Sequence, residues 1–314
     1  MKNTKKVKTL FFEKGVSAIN LLTGKDEEFY YCPICGNPFP RMALDNKELT
    51  LEHIPPEAQG GKGIALTCSK CNKTAGYSID SAVFNRNELK KGIESLITRK
   101  LEYKGRARLN FGEENLEKVN ADLSVKDSKV KFFVIGESNH PQTTERIKKF
   151  ITKVNQGGHL HLSTIKVTPE QKYNLWLSKV GDLRTAFLIC FAFFGYKYVY
   201  DKRLEPVRNQ IINYKEKLIE GFWSQSGENS LSNTNLYIID RPFPALLVNL
   251  REISILLPWL ESPENFYEFV IQEKNLTDGQ IQLSGGRLPW PQTLELNLDF
   301  YERESYINLD NKDT

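Results

Sequence analysis

The chain has 314 residues, 40% hydrophobic and 26% charged, values ordinary for a globular protein that buries a core. Disorder and fibrous repeats are excluded on those figures, and the length suggests two domains. The formal charge is only +4, but it is unevenly spread: residues 1–110 carry 19 basic and 12 acidic side chains, hence +7, and the remainder is mildly acidic. That asymmetry points to a polyanion-facing module on a near-neutral scaffold.

Residues 1–28 read as an N-terminal arm, extended or a short helix; MKNTKKVKTLFFEKG is basic but lacks the apolar stretch and cleavage site of a signal peptide. Leu49–Ile54 (LTLEHI) alternates as a strand, Pro55-Pro56 ends it, and PPEAQGGKG is a loop. Ile64–Thr67 is a second short strand, with a helix beginning near Ser69–Asn72. Asn85–Lys100 places Leu89, Ile93, Leu96 and Ile97 at helical spacing and carries Arg86, Lys90, Lys91, Arg99 and Lys100 on a basic face.

Beyond Leu101 the texture changes, and the expected boundary lies near Lys100–Lys104. GRARLNFG, VNADLSVKD and KVKFFVIG read as strands, SNHPQ as a turn, Thr144–Val154 as a helix and GGHLHLSTIKV as a strand. Pro169–Tyr200 reads as a helix with Trp176, Val180, Leu183 and Phe187 buried, and Leu204–Ile219 as a second. The tail returns to strands in NLYIID, PALLVNL, QIQLSG and TLELNLDFY. The most apolar run, Ala186–Phe194, spans nine residues, well short of the roughly 20 a membrane span needs. It reads as a buried helix of a cytoplasmic protein with no membrane partner.

Four of the five cysteines form two C-x-x-C pairs, Cys32/Cys35 and Cys68/Cys71. Without a secretory signal, thiolates around one zinc fit better than a disulfide framework. Cys190 sits in the apolar helix and reads as packing. The stretch between the pairs exceeds the ~15–20 residues of a simple zinc ribbon, and it holds Glu52-His53, a carboxylate beside an imidazole at a strand end.

The ordered set CPIC, LEHIPP, GG and LTCSKCN resembles the HNH nuclease family (the ββα-metal or treble-clef nucleases), over roughly residues 31–80. The resemblance implies an α+β chain: an N-terminal zinc-containing ββα-metal domain at 29–100, then a larger α+β domain at 101–314 of unassigned fold that could sense, recognise a target or serve as a scaffold. It implies an endonuclease hydrolysing phosphodiester bonds in DNA, as in restriction or anti-phage defence. In that pattern His53 is the general base, Glu52 and Asn72 hold a catalytic Mg²⁺ or Mn²⁺, and Cys32, Cys35, Cys68 and Cys71 hold a structural Zn²⁺. Where the family usually carries a middle Asn, five residues before the third cysteine, this chain has Gly63.

Lys62, Lys70, Lys73, Arg86, Lys90 and Lys91 are the candidate phosphate contacts. His159 and His161 lie two apart without a third ligand and read as ordinary histidines, and His140 carries no signal. Trp176, Trp223, Trp259 and Trp290 read as core. A second reading is a zinc-stabilised nucleic-acid-binding protein without cleavage. In a third, the C-terminal domain gates the nuclease until a protein partner or small-molecule activator arrives.

Overall fold

The computed structural model describes residues 2–55, 60–111, 118–155, 165–225, 234–277 and 279–297. Helix α1 (Lys2–Thr23) opens the chain, so the N-terminal segment is neither extended nor short. Its sequence signal is the spacing of Val7, Phe11, Gly15 and Ala18 with Ile19, which makes one apolar face. Phe11, Phe12, Ala18 and Ile19 are buried, and at Gly15 the helix passes so close to Tyr30 that a Cβ would lie 2.4 Å from its ring.

Two hairpins follow. β1 (Tyr30–Tyr31) pairs with β2 (Pro38–Phe39), and β3 (Leu49–Ile54) pairs antiparallel with β4 (Lys62–Cys68). The chain turns directly into α2 (Ser69–Thr74), runs through a π-helical stretch, Ala75–Asp80, and enters α3 (Ser81–Thr98). The strand–strand–helix order is thus as the sequence suggests, with β4 slightly longer. Helix α3 ends where Arg99 takes a positive φ of 54° and its amide donates to the Ser95 carbonyl.

The chain divides into two compact units, 1–83 with 175–314, and 84–174. The sequence boundary near residue 100 falls instead between α3 and the next strand. In the second unit, β5 (Tyr103–Asn110), β6 (Val119–Lys126), β7 (Lys129–Val134) and β8 (Lys166–Glu170) form an antiparallel sheet in the order β7-β6-β5-β8. Alternate residues of β5 and β6, among them Tyr103, Ala107, Leu109, Ala121 and Leu123, make its apolar face. Leu96 of α3 and Ile147 and Phe150 of α4 (Pro141–Asn155) cover it. Residues 157–164 of the expected strand GGHLHLSTIKV lie outside the described residues. Pro169, expected in a helix, sits in β8, an edge strand where its missing amide is tolerated.

The first unit resumes with α5 (Leu175–Phe194), buried along nearly its whole length from Ser178 to Phe194. Such a helix must be covered on all sides. It packs against β3 and β4 on one hand and against β11 and β12 of a five-stranded antiparallel sheet on another. Short α6 (Tyr196–Val199) and α7 (Glu205–Ile212) follow. α7 is shorter than the expected 204–219 because the Gln210 side chain captures the chain beyond it: Oε1 accepts from the Leu218 and Ile219 amides, at 2.8 and 3.2 Å, and Nε2 donates to the Glu216 carbonyl.

The sheet comprises β9 (Trp223–Gln225), β10 (Asn235–Arg241), β11 (Ala245–Leu250), β12 (Ile253–Pro258) and β13 (Ser284–Leu288), ordered β13-β10-β11-β12-β9. Strand β12, from ISILLP, and helix α8 (Phe266–Leu276) were not expected from sequence. Residues 293–297 of the expected strand TLELNLDFY form none. The Glu295 and Leu296 amides donate to the Ala192 carbonyl and Asn297 to Phe193, satisfying the exposed end of α5; residues 298–301 lie outside the described residues.

All described strand pairings are antiparallel, and the fold class is α+β, as expected. No described helix is long and apolar enough to cross a membrane. Cys190 is fully buried, its thiol pushed up by burial, and Trp259 lies in the core with Trp176, Trp223 and Trp290 packed at its margin. Because α5 is the shared wall of two layers, Phe191→Ala should cost about 3–5 kcal/mol, read as a lowered urea midpoint; an unchanged midpoint would remove α5 from the core.

Candidate metal centre

Cys32 leaves β1 into a tight turn. Its amide donates to the Asn37 carbonyl at 3.0 Å, and its carbonyl accepts from Gly36, whose φ of +74° the turn requires. Cys68 ends β4 and Cys71 lies in the first turn of α2, so the second pair is set by the strand-to-helix junction. The four sulfur atoms lie within 4.8 Å of one another, with Cys35 and Cys68 Sγ 3.8 Å apart and no disulfide. A tetrahedral zinc with bonds of ~2.3 Å spaces its thiolates by about 3.8 Å, so the donor set fits.

Two amides support the sulfurs: Cys68 N–H points to Cys32 Sγ at 3.5 Å, and Cys71 N–H to Cys68 Sγ at 3.4 Å. The contact with Cys32 draws the Cys68 thiol down to about 7 against opposition from Cys35. Cys35 is lowered further by contacts with Cys32, Cys68 and Cys71, whereas contacts with the neighbouring thiols raise Cys32 and Cys71. Four cysteines this close could hold a zinc ion. Among the described residues they are the one group of three or more His, Cys, Asp or Glu within reach of a single metal.

Three tyrosines clamp the centre from the core. Tyr30 donates to the Leu66 carbonyl at 2.8 Å, Tyr196 to Tyr31 at 2.7 Å and Tyr200 to Cys32 at 2.9 Å. The last two come from α6 and the residue after it, so the segment beyond α5 braces the first cysteine pair.

Strand β3 runs from this centre to Glu52 and His53. The register breaks between them: Glu52 faces Ala65 and His53 faces Gly63, leaving Ile64 unpaired. A β-bulge re-aims the side chains on either side of it. Glu52 is buried, 3% exposed, whereas His53 is half-buried. At Gly63, where the HNH pattern would carry Asn, a Cβ would meet Leu51 Cδ2 at 2.4 Å, so a larger residue requires the Leu51 side chain to shift.

On α2, Asn72 donates through Nδ2 to Thr50 Oγ1 at 2.9 Å, and Thr50 in turn donates to the Thr67 carbonyl at 3.3 Å. Thr67 donates its hydroxyl to Glu52 Oε2 at 2.8 Å. Asn72 and Glu52 are therefore joined through two threonines paired across the hairpin.

Sequence reasoning missed the strongest partner of Glu52. Arg184 of α5, 2% exposed, places Nη2 2.8 Å from Glu52 Oε2, with Nη1 3.7 Å from Asp80 Oδ1. Burial works against the guanidinium charge, but Glu52 and Asp80 outweigh it and hold the pKa of Arg184 above its ordinary value. Burial also raises Asp80, with Arg184 opposing and Glu52 adding to the rise. The signal was present: an Arg flanking the most apolar run of a wholly buried helix must find a carboxylate.

Of the basic candidates, Lys62, Lys70 and Lys73 are exposed in the first unit, Lys62 donating to Gln292 Oε1. On α3, Lys91 is exposed and Lys90 half-buried, but Arg86 is 5% exposed beside Asn87, which removes it from the solvated face. The cause is helical phase: Arg86 lies near Ala82 and Val83 on the inward side. His140 is exposed, its Nδ1 accepting from the Gln142 amide; His159 and His161 lie outside the described residues.

Comparison with protein families, curated proteins and solved structures finds no match. The purified protein should carry about one Zn²⁺ per chain, lost from Cys32→Ser or Cys71→Ser together with cooperative unfolding. Elemental analysis without zinc, with a disulfide in the mass spectrum, would overturn the metal centre. Gly63→Asn, which places the family's residue at this position, should lower the melting temperature by several degrees through its clash with Leu51.

Proposed function

We propose that the chain is a divalent-metal-dependent endonuclease of the HNH type that hydrolyses phosphodiester bonds in DNA. The observation that carries the reading is the hairpin–helix β3-β4-α2 closed at its base by four cysteines, with Glu52-His53 at a bulge and Asn72 tied to the same hairpin. The order of these parts agrees with the motif order in the sequence.

Each group has a role suited to its chemistry. The His53 imidazole can accept a proton from the attacking water near neutral pH, and the bulge separates it from the buried carboxylate beside it. Glu52 and Asn72 each present one oxygen without a hydrogen bond among the described residues: the contacts of Glu52 fall on Oε2, and that of Asn72 on Nδ2. Two protein oxygens suit Mg²⁺ or Mn²⁺, which keeps water and phosphate in its other positions. Bound there, the cation would supply charge neutralisation to the phosphate and the leaving oxygen. Lys62, Lys70 and Lys73, all exposed, suit backbone phosphates.

The burial of Glu52 against Arg184 favours a second reading, a zinc-stabilised nucleic-acid-binding module without cleavage. Plasmid nicking separates the two. With Mg²⁺ or Mn²⁺ the wild type should nick, EDTA should stop it, and His53→Ala should slow it by about 10²–10⁴ without loss of zinc or DNA binding. Wild-type cutting by His53→Ala, or cutting in EDTA, would refute the nuclease assignment. A wild type that binds DNA without cutting would establish the binding module.

A further inference from the structure

We propose that Arg184 is a positioning residue of this site: it pins one carboxylate oxygen of Glu52 inside the core so that the other faces the divalent cation. The inference rests on the nuclease reading above and extends the site to helix α5, outside the sequence motif.

The geometry is that of a one-sided clamp. An Arg–carboxylate pair frequently takes both oxygens in a parallel fork. Here Arg184 Nη2 and Thr67 Oγ1 both reach Oε2, each at 2.8 Å, and no hydrogen bond or ion pair of a described residue reaches Oε1. The rest of the guanidinium is directed elsewhere, Nη1 toward Asp80 at 3.7 Å, while Nε has no hydrogen-bond partner among the described residues and Nη2 meets Oε2 as an ion pair by distance, without the angles of a hydrogen bond. Around the buried guanidinium of Arg184 stand two carboxylates, Glu52 and Asp80. A divalent cation at Oε1 adds positive charge where the fixed charges leave the site negative. Donors behind a ligating carboxylate fix its orientation, and removing one commonly costs about 10–100-fold in metal affinity.

Arg184 also couples β3 to the core. Its helix packs against β3 and β4, and Glu52 adjoins the bulge at His53. Loss of Arg184 loosens the carboxylate and leaves its buried charge with the Thr67 hydroxyl but no cation beside it among the described residues.

Mn²⁺ binding to the full-length, zinc-loaded protein, measured by calorimetry without DNA, tests the proposal with Arg184→Met, Arg184→Lys, Thr67→Val and Glu52→Gln. Arg184→Met should weaken Mn²⁺ binding by about 10–100-fold. Thr67→Val should weaken it in the same direction but less, and Arg184→Lys should recover part of the loss, all with zinc content unchanged. The Mn²⁺ concentration for half-maximal nicking should rise in parallel. If Arg184→Met fails to hold zinc, Thr67→Val and Arg184→Lys decide. Should these variants bind Mn²⁺ as tightly as wild type, or more tightly, while Glu52→Gln loses it, the clamp is refuted and the metal role of Glu52 stands. Wild-type Mn²⁺ binding by Glu52→Gln refutes the metal role itself, and the clamp with it.

Discussion

A helix that is apolar on every face cannot lie at a surface, and α5 imposes that condition on the first unit. Its residues from Ser178 to Phe194 are almost all buried, so the chain covers it from several directions. The β3-β4 hairpin supplies one cover and the five-stranded sheet another. The end of the helix is closed by the amides of residues 295–297, and Lys14 of α1 reaches the nearby Leu294 carbonyl at 2.7 Å. This explains why residues 175–297 pack with the first 83 while 84–174 form a unit of their own.

The exceptions on α5 are polar groups that this burial forces into partnership. Asp182 accepts a hydrogen bond from Trp223 Nε1 at 2.8 Å, which ties the helix to β9. Arg184 meets Glu52 and Asp80. A buried ion pair adds little net stability once desolvation is counted, but breaking one side of it is costly. Its consequence is geometric: it fixes where the Glu52 carboxylate sits, next to the bulge that re-aims His53.

The cysteine centre constrains the same hairpin from its other end. It gathers the turn after β1, the end of β4 and the start of α2 at one point, while Tyr196 and Tyr200 hold the first pair from beyond α5. The Glu52-His53 step is thus held between a thiol cluster and a buried guanidinium. Small domains with thin cores rely on such cross-links, and this hairpin also gains a wall from α5.

Local pattern and spacing determined much of this protein by themselves. Period-2 alternation placed β3 and β5–β7, the C-x-x-C spacing marked the four cysteines that gather in one cluster, and the absence of a long apolar run left no described helix able to span a membrane. Those features depend on neighbours in sequence, and neighbours in sequence stay neighbours in the fold. Tertiary structure decided what depends on distant partners. Pro169 became an edge strand because β5 needed one, and residues 293–297 became a helix cap because the end of α5 exposed carbonyls. Arg86 turned inward through the phase of α3. Above all, the partner of Glu52 lies on a helix far along the chain, where no spacing rule reaches and only the requirement to neutralise a buried charge brings Arg184 to it.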